Sequence, residues 1–352
     1  MNDKNPQPRN ILIIKPSALG DVVLSLPALA SLRASFPDAR LTWLVRSEFA
    51  LLLKGAKNLD DVLLFDRKLL GKWWCRPDAF KALIRFFRRL RCSRFDLVID
   101  LQGLFRTALF AWITAAPKRI GMKTAREFAT VFYTDRIAPP ADSIHVIDCY
   151  RKMVRASGAT KTVDDYDLCF GPEAASKAAE LLAQNGADPD NYIVLIVGSA
   201  HRRKCWPVER FAALADALVS EYKAQIVAVG TKNEKEAVVE LCRLCRNPVI
   251  DLSNRTDIPT LACLLEGAGL VVSNDTGPGH MAVAMNTPAV IIFGGTNPGR
   301  VRPYNKLHSV AAVEPDMRGN AIESRDPRHS IDSVSVDDVL ALARYHLDNR
   351  NR

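Results

Sequence analysis

Hydrophobic residues in this chain occur in short uninterrupted runs, each followed by a polar or glycine-bearing turn and then by apolar residues at helical spacing. Runs of this kind occupy residues 11–14, 41–45, 192–198, 226–230 and 289–293. Strands buried on both faces of a parallel sheet have this uninterrupted apolar character, and parallel strands need helical crossovers. The repeated order of strand, turn and helix therefore predicts an α/β protein built from Rossmann-like parallel sheets.

The length of the chain, 352 residues, exceeds what one ordinary hydrophobic core organises. Acidic and short apolar segments after residue 164 lead to Gly171-Pro172, where the pattern of strands and helices begins again. We therefore predict an N-terminal domain over residues 1–171 and a C-terminal domain over residues 172–330. The final segment, 331–352, has a helical pattern and is a candidate to pack back on the N-terminal domain.

The candidate chemistry gathers around residues 273–280, Ser-Asn-Asp-Thr-Gly-Pro-Gly-His. This stretch lies between an apolar strand and a helical pattern, so a helix N-terminus with free backbone N–H groups is expected there. Asp275, Thr276, Gly277 and His280 bring polar side chains and backbone freedom to the turn. One interpretation is an anion-binding turn, and the other is a structural cap formed by Asp275 or Thr276.

Two further turns are expected beside this one, because each follows a predicted parallel strand. The segment 294–299, Gly-Gly-Thr-Asn-Pro-Gly, follows one strand, and Ser199 begins a polar loop that reaches Lys204 after another. Ligands of open α/β sheets bind at the carboxyl ends of the strands. Backbone N–H groups on one side and the Lys204 ammonium on the other are therefore expected to hold a diphosphate.

Asp21 is the candidate general base. It closes the turn after the first strand, residues 15–21, Lys-Pro-Ser-Ala-Leu-Gly-Asp, which lacks the G-x-G-x-x-G spacing of dinucleotide-binding proteins. A carboxylate at the carboxyl end of a strand is well placed to accept a proton from a bound hydroxyl. The alternative is that Asp21 only caps the helix that follows.

The region 67–94 is strongly basic and contains Trp73-Trp74, in a protein of net charge +9. After Pro77-Asp78, apolar residues at helical spacing alternate with a basic face that includes Lys81, Arg85 and Arg88. Such a face suits an anionic membrane surface or a phosphorylated lipid, and a solvated charged face is the alternative. Nucleic acid is disfavoured, because no helix-turn-helix, RNA-binding or zinc-finger pattern accompanies the charge.

A second basic candidate is Arg126, in the segment Thr124-Ala125-Arg126-Glu127. A guanidinium at this position could bind an acidic acceptor, because arginine pairs with carboxylate and phosphate groups through two parallel hydrogen bonds. The alternative is a surface ion pair with a nearby acid.

The first nine residues are polar and charged, and no run of 18 uncharged apolar residues follows anywhere in the chain. Neither a secretion signal nor a membrane span is therefore expected. The eight cysteines are scattered, without the second pair that would complete a zinc site. Together these features favour a cytoplasmic protein.

At the level of motifs, the chain resembles glycosyltransferase family 9, the lipopolysaccharide heptosyltransferases. The matching segments keep the order of the family and span most of the chain: 17–22 (SALGDV), 95–103 (FDLVIDLQG), 204–207 (KCWP), 274–280 (NDTGPGH) and 294–298 (GGTNP). Residues 124–127 (TARE) resemble heptosyltransferase I, which adds the first heptose to Kdo of the lipid A core, more than heptosyltransferase II.

The resemblance implies a GT-B fold, in which two Rossmann-like domains face each other across a cleft. It implies inverting transfer of heptose from ADP-L-glycero-D-manno-heptose to the Kdo/lipid A inner core, by a cytoplasmic enzyme associated peripherally with the inner face of the inner membrane. It identifies Asp21 as the general base and the following as donor-binding residues: Ser199, Lys204, Asp275, Thr276, Gly277 and His280. The acceptor-binding candidates are Arg126 and, by position and character, Lys81, Arg85 and Arg88. No metal or other cofactor is expected.

Two departures from the family and two rival functions stay open at this point. The segment 318–327 lacks the cysteine-bearing tail common in the family, and His201-Arg202-Arg203 makes the Lys204 loop unusually basic. The rivals are a nucleotide-sugar epimerase resembling the UDP-GlcNAc 2-epimerases and a non-catalytic binding protein on the same scaffold. The basic helix and Asp21 argue against the epimerase, and the joint presence of Asp21, Lys204 and Asp275 argues against the binding protein. A family 9 transferase with another donor or acceptor is a further alternative.

Overall fold

The computed structural model describes residues 7–349, and the chain divides into two compact units between Asp167 and Leu168. Within those residues, each unit contains one six-stranded sheet whose paired strands are all parallel. The predicted pair of Rossmann-like α/β units is thus confirmed. No helix in this range is long and apolar enough to cross a lipid bilayer.

The strands of the first unit lie in the order β3-β2-β1-β4-β5-β6. Their bounds are β1 Asn10–Ile14, β2 Arg40–Arg46, β3 Asp61–Phe65, β4 Leu97–Asp100, β5 Lys118–Met122 and β6 Asp135–Ile137. The helices are α1 Leu19–Val23, α2 Leu26–Ser35, α3 Ala50–Leu53, α4 Arg67–Leu70, α5 Pro77–Cys92, α6 Phe105–Ile113 and α7 Val146–Ala156. Because β1 and β4 are neighbours, the turns that follow them meet at one edge of the sheet.

The strands of the second unit lie in the order β12-β11-β10-β7-β8-β9. Their bounds are β7 Tyr192–Ile196, β8 Gln225–Ala228, β9 Val249–Asp251, β10 Leu270–Asn274, β11 Ala289–Ile292 and β12 Val310–Ala311. The helices are α8 Pro172–Gln184, α9 Val208–Tyr222, α10 Lys235–Leu244, α11 Ile258–Gly267, α12 Gly277–Ala284, α13 Pro298–Val301 and α14 Val336–Asn349. Strand β10 lies between β7 and β11, so the three turns singled out in the sequence are neighbours.

The helical segment that follows the first strand is divided into two helices. Helix α1 ends at Val23, and α2 begins at Leu26 with Pro27 in its first turn. Proline has no backbone N–H and fits the first turn of a helix, whereas in a helix interior it disrupts the hydrogen-bond ladder. The short break places Asp21 in a separate one-turn helix directly after the strand-end turn.

The last helix, α14, packs within the C-terminal unit, and its expected packing on the N-terminal domain stays a prediction. Its buried residues Val339, Leu340 and Ala343 lie in one hydrophobic cluster with residues of α9, β10 and β11. The amphipathic pattern predicted the helix itself, but a single apolar face does not indicate which sheet it will cover.

Candidate functional site

Asn274, the last residue of β10, fixes the geometry of the second unit's site. It is fully buried, its side-chain Nδ2 donates to the carbonyl of Val197 at 2.8 Å, and its Oδ1 accepts from the backbone N–H of Trp206 at 2.9 Å. The indole of Trp206 is itself buried and donates to the carbonyl of Val334 at 2.9 Å. A satisfied buried amide therefore holds the 275–280 turn and the Lys204 loop in one arrangement.

Asp275 lies at the centre of this site. Its carboxylate accepts from the ammonium of Lys204, with 2.5 Å between Nζ and Oδ2, and lies 3.2 Å from Nε2 of His280. Burial by itself would raise the pKa of Asp275, but the His280 hydrogen bond and the Lys204 charge together hold that pKa well below its usual range. Asp275 is therefore an ionised, buried group that orients the Lys204 ammonium and the His280 ring.

The N-terminus of α12 matches the anion-site interpretation better than the capping one. The N-cap residue is Thr276, whose side chain makes no capping hydrogen bond, and Asp275 precedes it. The hydroxyl of Thr276 lies 3.1 Å from Oγ of Ser273. Gly279 is required here, because a Cβ at this position would lie 2.7 Å from the Ser273 oxygen. The helix start, led by Gly277, thus offers backbone N–H groups that no capping side chain covers.

Ser199 and Glu234 complete the rim at the end of β7 and β8. Ser199 is half-buried in the loop after β7, where its hydroxyl accepts from the N–H of His201 at 3.4 Å. Glu234, which the sequence prediction missed, packs so closely on Gly198 that a Cβ there would lie 2.4 Å from its Cγ. Its carboxylate accepts from the N–H of Thr231 at 2.7 Å. The signal for it was the Thr231–Glu234 capping pair after the second strand, where Rossmann proteins place a ribose-binding acid.

In the first unit, Asp21 is the third residue of α1 and its side chain is partly open to solvent. Its Oδ2 accepts from the backbone N–H of Ala18 at 3.3 Å and lies 3.7 Å from Nζ of Lys15. One carboxylate oxygen of Asp21 therefore caps the start of α1, as the alternative interpretation predicts. Because the side chain stays partly exposed, the carboxylate is also free to accept a proton from a ligand.

Lys15 is a buried cation that the sequence prediction passed over. Its Nζ donates to the carbonyl of Leu101 at 3.3 Å and lies 5.6 Å from the ring centre of Tyr150. Burial alone would lower the pKa of Lys15, but the Asp21 carboxylate and Tyr150 raise it above its ordinary value. A lysine directly after a fully apolar strand was the available signal, because parallel strands are buried on both faces.

The turn after β4 is built on a second buried carboxylate, Asp100. Its oxygens accept from the hydroxyl of Tyr133 at 2.7 Å and from the N–H groups of Gln102 and Gly103 at 3.0 and 3.2 Å. Burial raises the pKa of Asp100, although these hydrogen bonds act in the opposite direction. Because its two oxygens are engaged by the Tyr133 hydroxyl and by the backbone of the turn, Asp100 shapes the backbone rather than facing a ligand.

Arg126 is attached to that turn. Its backbone N–H donates to the carbonyl of Gly103 at 2.9 Å, and Gly103 has a positive φ of 69° that favours glycine. The Arg126 side chain is exposed, and within residues 7–349 it forms no ion pair, so the alternative of a surface salt bridge is not met. Arg126 thus lies at the carboxyl edge of the sheet that also presents Asp21.

The basic residues of α5 are arranged differently. Lys81, Arg85 and Arg88 are exposed on this helix, as predicted. The helix ends beside Ser93, whose carbonyl accepts from the side chain of Asn10 at the start of β1. Helix α5 therefore runs away from the edge that carries Asp21, so the structure brings Arg126 to that edge but not Arg88.

Helices α5 and α6 enclose a shallow groove of about 620 Å³ with an apolar floor and a basic rim. Trp112, on α6, is 55% exposed, and Ile84, on α5, is 42% exposed. The residues lining this α5–α6 groove include, for the floor, Ile84, Phe87, Trp112 and Ile113 and, for the rim, Arg88, Arg91 and Arg119. Exposed aromatic area next to several guanidinium groups is typical of an interaction surface.

Within the described range 7–349, no group of three or more His, Cys, Asp or Glu side chains is placed to hold a metal ion. Two Asp-x-Asp sequences occur, 165–167 and 188–190, but neither belongs to the donor turn. Asp167 accepts from the Asn58 side chain, and residues 188–190 precede β7 at the opposite edge of its sheet. The candidate groups are a lysine and an aspartate in the first unit, and a lysine, an aspartate, a histidine and backbone N–H groups in the second.

Comparison with known proteins places this geometry in a family. The model of glycosyltransferase family 9 (heptosyltransferase) matches residues 83–323. Lipopolysaccharide heptosyltransferase 1 of Salmonella typhimurium is 30% identical over 314 residues, covering 87% of this chain and 95% of that protein.

Two solved structures share the fold. The glycosyl transferase of family 9 from Veillonella parvula superposes with a TM-score of 0.81 at 24% identity, covering 96% of this chain and 97% of that one. The E. coli heptosyltransferase WaaC with ADP-2-deoxy-2-fluoro heptose superposes with a TM-score of 0.72 at 25% identity, covering 96% and 99%. The expected GT-B fold class is confirmed by these likenesses. The chain is a glycosyltransferase and belongs to glycosyltransferase family 9, the heptosyltransferases.

Proposed function

We propose that this protein transfers heptose from ADP-L-glycero-D-manno-heptose to Kdo of the lipid A inner core, with inversion at the anomeric carbon. The observation that carries the proposal is the partly exposed carboxylate of Asp21 beside the buried ammonium of Lys15, in a member of the heptosyltransferase family. The similar heptosyltransferase 1 of Salmonella and the WaaC structure with an ADP-heptose analogue support the donor and acceptor class.

The donor diphosphate is assigned to the C-terminal unit. Lys204 supplies an ammonium, and the start of α12 after Thr276 supplies backbone N–H groups and the positive end of a helix dipole. His280 completes the set, oriented by Asp275. Glu234, at the end of the second strand of this unit, is assigned to the hydroxyls of the nucleotide ribose.

The chemical step is a single displacement. Asp21 takes the proton of the acceptor hydroxyl, and the acceptor oxygen forms a bond to the anomeric carbon of heptose. The bond between that carbon and the β-phosphate oxygen breaks, and its electron pair leaves with ADP. A positioned base of this kind contributes on the order of 10²–10⁴ in rate, and stabilisation of the departing diphosphate by Lys204 adds a separate electrostatic contribution.

Metal-free transfer is part of the proposal. Positive charge for the leaving ADP comes from Lys204 and the α12 terminus, which together do the work that a divalent cation does in other transferases. Incubation with EDTA is expected to leave turnover unchanged. Loss of turnover that Mg²⁺ or Mn²⁺ restores would contradict this part of the assignment.

We assign the acceptor to the N-terminal unit and the enzyme to the inner face of the inner membrane, peripherally bound. Arg126 lies at the sheet edge of Asp21 and is assigned to the acidic acceptor sugar. Lys81, Arg85 and Arg88 on α5 are assigned to the acidic lipid side of the acceptor. The α5–α6 groove, with exposed Trp112 and its arginine rim, suits anionic phospholipid, since tryptophan favours the bilayer interface and each nearby cation adds about 1 kcal/mol.

Vesicle sedimentation tests the membrane assignment. The wild type is expected to bind vesicles of phosphatidylglycerol and phosphatidylcholine and to release them at high salt. The pair Arg88→Gln and Arg91→Gln, and separately Trp112→Gln, should weaken binding. Controls of matched chemistry are the exposed pair Lys54→Gln and Lys57→Gln, and Val239→Gln, which is 52% exposed on α10. Equal loss in test and control variants would refute the groove as the docking surface.

The function itself is tested by a donor panel. Purified protein is incubated with Kdo-containing lipid A and, separately, ADP-heptose, UDP-sugars or GDP-sugars, and both released nucleotide and the mass of the lipid are measured. We expect a heptose increment from ADP-heptose alone. A mass increment from another sugar would mean that the protein is a family 9 transferase with a different donor. Conversion of a UDP-sugar to its epimer without any acceptor would favour the epimerase alternative.

A further inference from the structure

The segment 318–324 is a strap that covers the turn after β11. Thr296 and Glu323 form an antiparallel bridge, the N–H of Asn297 donates to Ile322, and the N–H of Ser324 donates to Gly295 at 2.7 Å. An isolated antiparallel bridge and these backbone hydrogen bonds therefore join the segment to residues 295–297, at the same sheet edge as the donor turn.

Buried polar groups hold the strap in place. The side chain of Asn297 donates to the carbonyls of Gly319 and Ala321 at 2.9 and 2.8 Å. Arg318 is buried, and its guanidinium donates to the carbonyls of Thr296 at 2.9 Å and Val313 at 2.7 Å. Burial lowers the pKa of Arg318, yet a guanidinium keeps its charge in proteins. The charge-assisted hydrogen bonds of Arg318 therefore hold the start of the strap against the turn after β11.

The strap presents Glu323 to the Lys204 loop. The two carboxylate oxygens of Glu323 accept from Nη1 and Nη2 of Arg203 at 2.9 and 2.8 Å, a bidentate pair. Arg203 directly precedes Lys204 in a one-turn 3-10 helix, Arg202–Lys204. Residues 201–203 are exposed, so little packing holds the outer side of this loop.

We propose that the Arg203–Glu323 pair is a positioning device for the donor diphosphate site. Asn274 and Trp206 fix the inner end of the Lys204 loop, and the pair fixes its outer end to the strap. Together they hold the Lys204 ammonium at the donor turn before nucleotide binds, which reduces the ordering cost of binding. The inference rests on the proposed function, because it takes the Lys204 site to be the donor site.

The direction in which Glu323→Gln changes the affinity for ADP distinguishes a positioning role from simple charge neutralisation. If Glu323 only neutralises positive charge near the diphosphate, Glu323→Gln will tighten binding of an anionic nucleotide. If Glu323 positions the loop, Glu323→Gln will weaken binding although it makes the site more positive. An exposed pair of this kind couples by up to about 1 kcal/mol, so the expected loss of affinity is about two- to fivefold.

The test is calorimetric titration of the full-length protein with ADP. We expect Arg203→Gln, Glu323→Gln and the double variant to weaken ADP binding by similar factors, because the second change removes nothing further once the pair is broken. The matched control is Arg344 and Glu221, a bidentate pair at 2.8 and 2.6 Å between α14 and α9, each replaced by Gln. These control variants should bind ADP as the wild type does.

Tighter ADP binding by Glu323→Gln would overturn the inference, and so would additive losses in the double variant. Wild-type binding by all three variants would also overturn it. These results differ from failure of the proposed function, in which the wild type itself shows no ADP binding or no transfer from ADP-heptose.

Discussion

The two candidate sites contain the same chemical pair, a lysine and an aspartate at the carboxyl edge of a parallel sheet, in opposite arrangements. In the N-terminal unit, Lys15 is buried with 5% of its side chain exposed, and Asp21 is 42% exposed, at a distance of 3.7 Å. In the C-terminal unit, Asp275 is buried with 6% exposed, and Lys204 is 26% exposed, at 2.5 Å.

The difference determines which charge each site offers to a ligand. The buried member of each pair neutralises and orients its partner, and the exposed member faces solvent. The first unit therefore offers an anion, as a base toward a hydroxyl requires, and the second offers a cation, as a diphosphate requires. The same Lys–Asp pair can therefore present either an anion or a cation, because the lysine is the buried member in one unit and the aspartate is the buried member in the other.

The largest effect is expected at the exposed anion. Asp21→Asn removes the base but keeps the side-chain size, so we expect turnover to fall about 10³-fold. ADP affinity, measured by calorimetry, should stay within about twofold of the wild type, because the nucleotide is assigned to the other unit. A loss of ADP affinity as large as the loss of turnover would contradict the base assignment.

At the exposed cation, Lys204→Met should reduce ADP affinity and transfer about 10²-fold, because the diphosphate loses its ammonium partner. Steady-state kinetics with ADP-heptose and calorimetry with ADP measure the two losses. The control is Lys232→Met, on an exposed lysine near Glu234. A loss in turnover with unchanged nucleotide binding would place Lys204 elsewhere in the reaction.

Stability should also depend on the exposed member of each pair. Replacing an exposed partner leaves the buried charge without its counter-charge. Asp21→Asn and Lys204→Met should therefore each lower the free energy of unfolding by about 1–3 kcal/mol. Replacing Lys15 by Met removes the buried charge itself and should be close to neutral. Urea unfolding measures these values, and a Lys15→Met cost above that of Asp21→Asn would break the comparison.

The smallest expected effect is on the pH dependence of stability, which should have opposite signs at the two sites. The lowered pKa of Asp275 means that its contribution is present above the ordinary aspartate pKa of about 4 and is lost as pH falls through the lowered value. The raised pKa of Lys15 means that its contribution is present below about pH 10 and is lost as pH rises through the raised value. Thermal unfolding midpoints should therefore depend less on acid in Asp275→Asn and less on alkali in Lys15→Met.

Much of the fold and of the site could be predicted from local pattern. The apolar runs located the inner strands, and their ends located Asp21, Lys204 and the 275–280 turn, because ligand groups gather at strand ends. The short strands β6 and β12 were missed, since edge strands of two or three residues with polar members carry little periodicity. Asn274 and Lys15 were passed over, because their role depends on partners in other segments.

The sequence by itself determined the class of fold, the presence of two α/β units, the turns of the candidate sites and the family. Each of these depends on short stretches whose backbone preference and burial pattern are local. Tertiary structure alone decided which partner of each Lys–Asp pair is buried, which sheet the last helix covers, and that Glu323 reaches Arg203. The Lys204–Asp275 and Arg203–Glu323 contacts join residues 71 and 120 positions apart through the order of the strands, which no local pattern encodes.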